Sequence, residues 1–184
     1  LQYPELKIEV SSDKEVIKEF SEVQVNVVAT NVGNSKAENV NVEFNIPRFS
    51  EYVSYEIEDE NIDIVKEDEV IKASKAILEK DEKIEFKVNL KAADMPTLEE
   101  YYRGTEGFGE YDGQYKIIKY DEEGNILEEK VITEAPEICI EPKASVSAKD
   151  LGATLTAEGN KIKVTEAEFE ITIENKSDID EDLD

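Results

Sequence analysis

Four aspartates spaced two apart, Asp178, Asp180, Asp182 and Asp184, have the spacing of the early ligands in a calcium-binding loop. Calcium is the one cofactor these residues suggest. The sharp-turn glycine is replaced by Leu183, and no bidentate glutamate follows. A second acidic run, Glu58-Asp59-Glu60-Asn61-Ile62-Asp63, falls on an expected loop. For both, a solvated acidic run is the commoner outcome. A third chemical candidate is the stretch 92–113, where Tyr101, Tyr102, Phe108 and Tyr111 are interleaved with Gly104, Gly107 and Gly109. Tyrosine and glycine together give large contact surfaces on an adaptable backbone. The same side chains read as a lid folded over one end of a sandwich.

Other chemistry fails on inventory. The chain has no histidine and one cysteine, Cys139, which removes the usual neutral-pH base, the commonest zinc ligand and any internal disulfide. No glycine-rich phosphate cradle joins a strand to a helix. With 46 acidic residues, a carboxylate pair suited to glycoside hydrolysis arises by chance. These inventories predict a protein that is not an enzyme. Lysines and asparagines on facing strands are the ingredients of an intramolecular isopeptide bond, which would lower the mass by one ammonia.

Composition narrows the partners. A net charge of -25 repels phosphate backbones and anionic lipids, so no nucleic acid and no membrane insertion are expected of this segment. No run approaches the roughly 20 apolar residues that span a bilayer. The chain starts at Leu1, not Met, consistent with a removed export signal, and an extracellular, cell-surface or secreted location is expected.

The elements that must position these residues are strands. Leu6, Ile8 and Val10 alternate with polar residues, as do Val23, Val25 and Val27, then Val40, Val42, Phe44 and Ile46, then Ile84, Phe86, Val88 and Leu90. Residues 52–57 and 70–78 are weaker strand candidates. A further pair, 115–120 and 126–132, flanks the turn Asp121-Glu122-Glu123-Gly124-Asn125. Seven or eight strands without helical crossovers predict an all-β, antiparallel, immunoglobulin-like β-sandwich over 1–141. Tyr115, two residues after Gly113, sits where such sandwiches pin a penultimate strand to its preceding corner. Between the second and third runs, Asn31-Val32-Gly33-Asn34-Ser35 is expected to supply positive-φ residues. Pro142, flanked by charges, marks a boundary. Beyond it, 166–175 repeats the pattern of 22–31, with Phe169, Ile171 and Ile173 on the positions of Val25, Val27 and Ala29. Residues 142–184 are therefore either the first strands of a second, similar module or strands docked on the first.

The assembled pieces resemble the cell-adhesion-related bacterial domains (CARDB-like modules) and related conserved repeats of prokaryotic surface proteins. They are Val25-Asn26-Val27-Val28-Ala29-Thr30-Asn31-Val32-Gly33-Asn34, Val40-Asn41-Val42-Glu43-Phe44, 77–86, Gly113-x-Tyr115-x-Ile117, and Asp121 with Asn125-Ile126. The resemblance covers about 5–141 and departs from the family at the aromatic insertion and the acidic middle, 58–69. It implies a surface module acting as structural spacer, adhesin or assembly subunit, with other surface proteins, copies of itself or cell-wall glycans as partners. A carbohydrate-binding or calcium-dependent recognition module using the Tyr/Gly-rich loop is the rival reading. A filament or surface-layer subunit that assembles by strand donation is a third.

Overall fold

The computed structural model describes residues 2–94, 115–132 and 137–167. Every regular element among them is a strand. In chain order these are β1 (Leu6–Ser12), β2 (Val16–Lys18), β3 (Glu22–Asn31), β4 (Ala37–Asn45), β5 (Ser50–Glu56), β6 (Asp63–Glu67) and β7 (Val70–Leu78). They continue with β8 (Lys83–Ala92), β9 (Tyr115–Tyr120), β10 (Ile126–Ile132), β11 (Ile138–Ile140), β12 (Lys143–Ser147), β13 (Leu155–Glu158) and β14 (Ile162–Thr165).

Alternation dictates the architecture. In β3, Val23, Val25, Val27 and Ala29 are buried while Gln24, Asn26, Val28 and Thr30 face outward. In β8 the inward set is Ile84, Phe86, Val88, Leu90 and Ala92. These strands lie in a four-stranded sheet, β1-β3-β8-β5. Its inner face meets Val40, Val42, Phe44, Ile71, Ala73, Ala144 and Val146 of a five-stranded sheet, β13-β12-β4-β7-β6, in one core cluster. Each buried Val, Leu, Ile or Phe contributes about 1.5–3 kcal/mol of transfer free energy, which favours this closed arrangement. The result is an antiparallel immunoglobulin-like β-sandwich. One parallel pair breaks the antiparallel rule: β14 runs alongside β2 in a small third sheet, β11-β14-β2.

Three expectations are resolved. Of the two alternatives left open beyond Pro142, the described strands take the docked one: β12 pairs along β4, from Lys143 opposite Asn45 to Ser147 opposite Asn41, and β14 joins β11 and β2. Pro142 is itself buried and its carbonyl accepts from the amide of Gly159. A residue without N–H suits the point where the chain leaves one sheet for another. The repeat at Phe169, Ile171 and Ile173 lies outside the described residues. Second, β9 and β10 form the expected hairpin, but their only ladder among the described residues is with each other. Tyr115 therefore opens a strand of that hairpin and not, among the described residues, of either main sheet. Third, none of residues 31–35 has positive φ.

Asn31 and Gly33 hold that turn differently. Asn31 is fully buried. Its side-chain amide donates to the carbonyls of Ser35 (2.8 Å) and Leu78 (2.9 Å), and its Oδ1 accepts from the amides of Gly33 (3.0 Å) and Glu5 (3.4 Å). One residue thus joins the end of β3, the turn after it, the end of β7 and the approach to β1. Gly33 is required by contact: a Cβ there would lie 2.4 Å from the Glu5 nitrogen and 2.6 Å from the Tyr3 oxygen.

The two ends of the sandwich carry the two ends of the described chain. Tyr3 is hydrogen-bonded to Asn34 beside the Asn31 knot. At the opposite end, Thr165 accepts from the amide of Glu19, Phe20 donates to Ala92, and the amide of Ala167 reaches the Glu19 carboxylate.

Candidate functional site

Among the described residues, a groove with converging polar groups lies at the edge of the four-stranded sheet. β5 pairs with β8 from Ser50 opposite Ala92 to Glu56 opposite Lys87. β8 continues to Lys83, whereas the chain after Glu56 turns away through Ile57, Glu58 and Asp59. The divergence leaves a groove of about 620 Å³ lined by Asn26, Glu56, Glu58, Asp59, Lys83, Glu85 and Lys87, with Ile57, Ile62 and Phe86 as its apolar part. Its volume is that of a ligand cleft.

A polar network borders the groove on the outer face of β3, β8 and β5. Gln24 donates to Glu56 (2.7 Å) and to Asn89 (3.0 Å), and Asn89 donates to the Ser54 hydroxyl (3.0 Å) and to Glu56 (3.3 Å). Asn26 donates to Glu85 (3.1 Å), whose other oxygen pairs with Lys83 at 3.2 Å. The Asn26 hydrogen bond, aided by Lys83, holds the Glu85 carboxyl below the usual range although burial opposes it. The Oδ1 atom of Asn26 is buried without a partner.

The far wall is clamped. Lys75 on β7 reaches Glu82 at 2.7 Å and Asp59 at 3.7 Å. The hydrogen bond it donates to Glu82 raises the Lys75 pKa despite partial burial, with Asp59 adding to it. Asp59 also accepts from the amide of Asn61 (2.9 Å), while Ile62 inserts into the core. The acidic run 58–63 is thus a fastened crossing between sheets, with its aspartate committed to a lysine and a backbone amide. No cluster of three or more potential metal ligands occurs among the described residues.

Of the residues singled out from the sequence, Tyr101, Tyr102, Phe108, Tyr111 and Gly113, and Asp178, Asp180 and Asp182, lie outside the described residues. So does the side chain of Tyr115. The hairpin turn is as expected: Asp121 Oδ1 accepts from the amides of Glu123 (2.9 Å) and Asn125 (2.8 Å), and Gly124 has φ of 88°. These bonds, the one from Asn125 foremost, lower the Asp121 pKa. Cys139 is half-buried; desolvation, with Glu137 adding, raises its thiol pKa and favours the unreactive protonated form. The Asn26, Glu85 and Lys83 trio contains the residue types of an isopeptide bond. The Lys83 side chain, however, is 56% exposed, and a solvated ammonium is no nucleophile.

Sequence reasoning missed the groove. Its residues alternate as an ordinary outer face, and the only signal was an acidic run starting where a weak strand ends.

No protein-family model and no curated protein matches the chain. Among solved structures it is similar to the major pilin subunit of Bacillus cereus, with a TM-score of 0.50 at 8% identity, covering 89% of this chain and 41% of that one. It is less similar to a bacterial hydrophobin (TM-score 0.42, 12% identity, 88% and 95% covered) and to a sporulation control protein of Bacillus subtilis (0.40, 14%, 97% and 55%). The chain spans about two fifths of the pilin subunit's length. At these identities the likeness shows the fold alone.

Proposed function

We propose that this chain is a non-enzymatic structural module of an extracellular surface protein, of the CARDB-like kind, serving as a spacer or assembly unit. One observation carries the reading: the first described residues lie beside Asn34 at one end of the sandwich, and Thr165, near the last of them, lies at the other. A ten-residue strand such as β3 advances about 33 Å along that axis. Modules of this polarity, joined in series, extend a protein by roughly a strand length each. The all-β fold and its likeness to a pilin subunit are in keeping with this, as is a high charge of one sign, which keeps an exposed protein soluble. The glycan-binding and calcium-dependent alternatives rest on Tyr101, Tyr102, Phe108 and Tyr111 and on Asp178, Asp180 and Asp182, which lie outside the described residues.

The test is small-angle scattering on the chain and on two copies of 1–167 fused head to tail. An increase in maximum dimension of about 30 Å or more is expected on duplication. A side-by-side particle with nearly unchanged length refutes the spacer reading.

A further inference from the structure

The groove beside β8 has a property that its side chains do not reveal. In an antiparallel ladder the main-chain groups of successive residues point alternately to the two neighbouring strands. At one end of the β3–β8 ladder the amide of Ala92 donates to Ser21, and at the other the amide of Asn31 donates to Glu82. The even-numbered residues of β8 therefore bond to β3, and Lys83, Glu85 and Lys87 direct their N–H and C=O groups to the other side. At Lys87 that side is filled by Glu56. At Lys83 and Glu85 it is not: no main-chain bond from either reaches 57–59, and the space between is the groove.

We propose that the groove accepts an extended, basic polypeptide segment of a partner protein, which continues the line of β5 by adding a short strand to β8. Lys83 and Glu85 supply two N–H donors and two C=O acceptors, enough to fix the register of about four residues over about 13 Å. Side chains on one face of the incoming segment meet Phe86, Ile57 and Ile62; those on the other meet Glu56, Glu58, Asp59 and Glu85 against Lys83 and Lys87. Two carboxylates in excess, within a chain of net charge -25, select lysine or arginine over acidic side chains. This inference stands apart from the spacer reading and does not depend on it.

The experiment uses the isotope-labelled chain and three blocked hexapeptides: alternating lysine and valine, the same sequence with alternate amides N-methylated, and alternating glutamate and valine. Saturating lysine–valine peptide should slow hydrogen exchange at the Lys83 and Glu85 amides at least about tenfold, the scale of 1.4 kcal/mol. The N-methylated and glutamate peptides should not. Glu58→Lys, at an exposed position, should weaken the lysine–valine peptide by about tenfold without lowering the melting temperature. Equal binding of the N-methylated peptide would mean charge attraction without strand addition. Absence of binding at millimolar peptide, or protection of these amides that grows with protein concentration alone, would overturn the proposal; the latter would make a second copy the occupant.

Discussion

Asn31→Ala removes the residue on which one end of the sandwich converges. Three of its four side-chain bonds are 3.0 Å or shorter, and the mutation leaves the Ser35 and Leu78 carbonyls and the Gly33 amide without that partner. A buried group stripped of its partner costs about 1–3 kcal/mol. The Ser35 carbonyl is part-buried and can recruit water, so the sum expected is about 3–5 kcal/mol. For a chain of this size 1 kcal/mol moves the melting temperature by about 2–4 °C, which gives a fall of roughly 6–20 °C. Asn31→Asp sharpens the test. It keeps the acceptor towards Gly33 but turns a donor into an acceptor facing two carbonyls, so the folded state favours the protonated acid and its pKa rises above the unfolded value. Stability of this variant relative to the parent is then best below the unfolded pKa near 3.9 and declines as pH rises through the higher folded value. Urea denaturation followed by circular dichroism at pH 4 and pH 7.5 measures both. A loss below about 1 kcal/mol for alanine, or a pH-independent loss for aspartate, would show that the knot carries no weight.

Other perturbations test the neighbouring geometry. Gly33→Ala should cost more than about 2 kcal/mol, since its Cβ meets backbone and not a movable side chain, with the start of β1 exchanging first in a hydrogen-exchange experiment. Lys75→Met should release the 58–61 crossing and cost about 0.5–1 kcal/mol at neutral pH, because the partner carboxylates are 39–40% exposed. With the Lys75 pKa raised in the fold, that difference persists up to about pH 10.5 and vanishes as pH climbs through the folded value. Gly124→Val should fray β9 and β10 in exchange measurements yet leave the main melting transition in place, since among the described residues no ladder joins hairpin and sandwich. Intact mass spectrometry should return the sequence mass, with no loss of ammonia from the Asn26, Glu85 and Lys83 group.

The sequence reveals most of the fold where period-2 alternation matches a one-sided core. Val23, Val25 and Val27, or Ile84, Phe86 and Val88, can face only one way without stranding apolar surface in water. β6 escaped because it is an edge strand with a single half-buried contact, Ile64, so nothing in its pattern betrays a face. β2 is three residues long with one buried member, Ile17. Pro142 misled because a charged-flanked proline reads as a linker, whereas its burial depends on β12 finding β4 about a hundred residues earlier. The groove was illegible for a related reason: it exists because β5 parts from β8 at Glu56, a matter of register between distant segments.

The parallel pairing of β2 with β14 imposes an order in time. Thr165 and Ile17, joined by a hydrogen bond across 148 positions, cannot meet until nearly all the described chain has emerged from the ribosome. At about 5–20 residues per second, Ile17 waits roughly 7–30 s for its neighbour. Contacts this distant in sequence also slow folding once synthesis is over, so the body matures late and as a unit. A nascent chain released before β14 would present β2 and the inward face of β11 unpaired, and chaperone occupancy should track that interval.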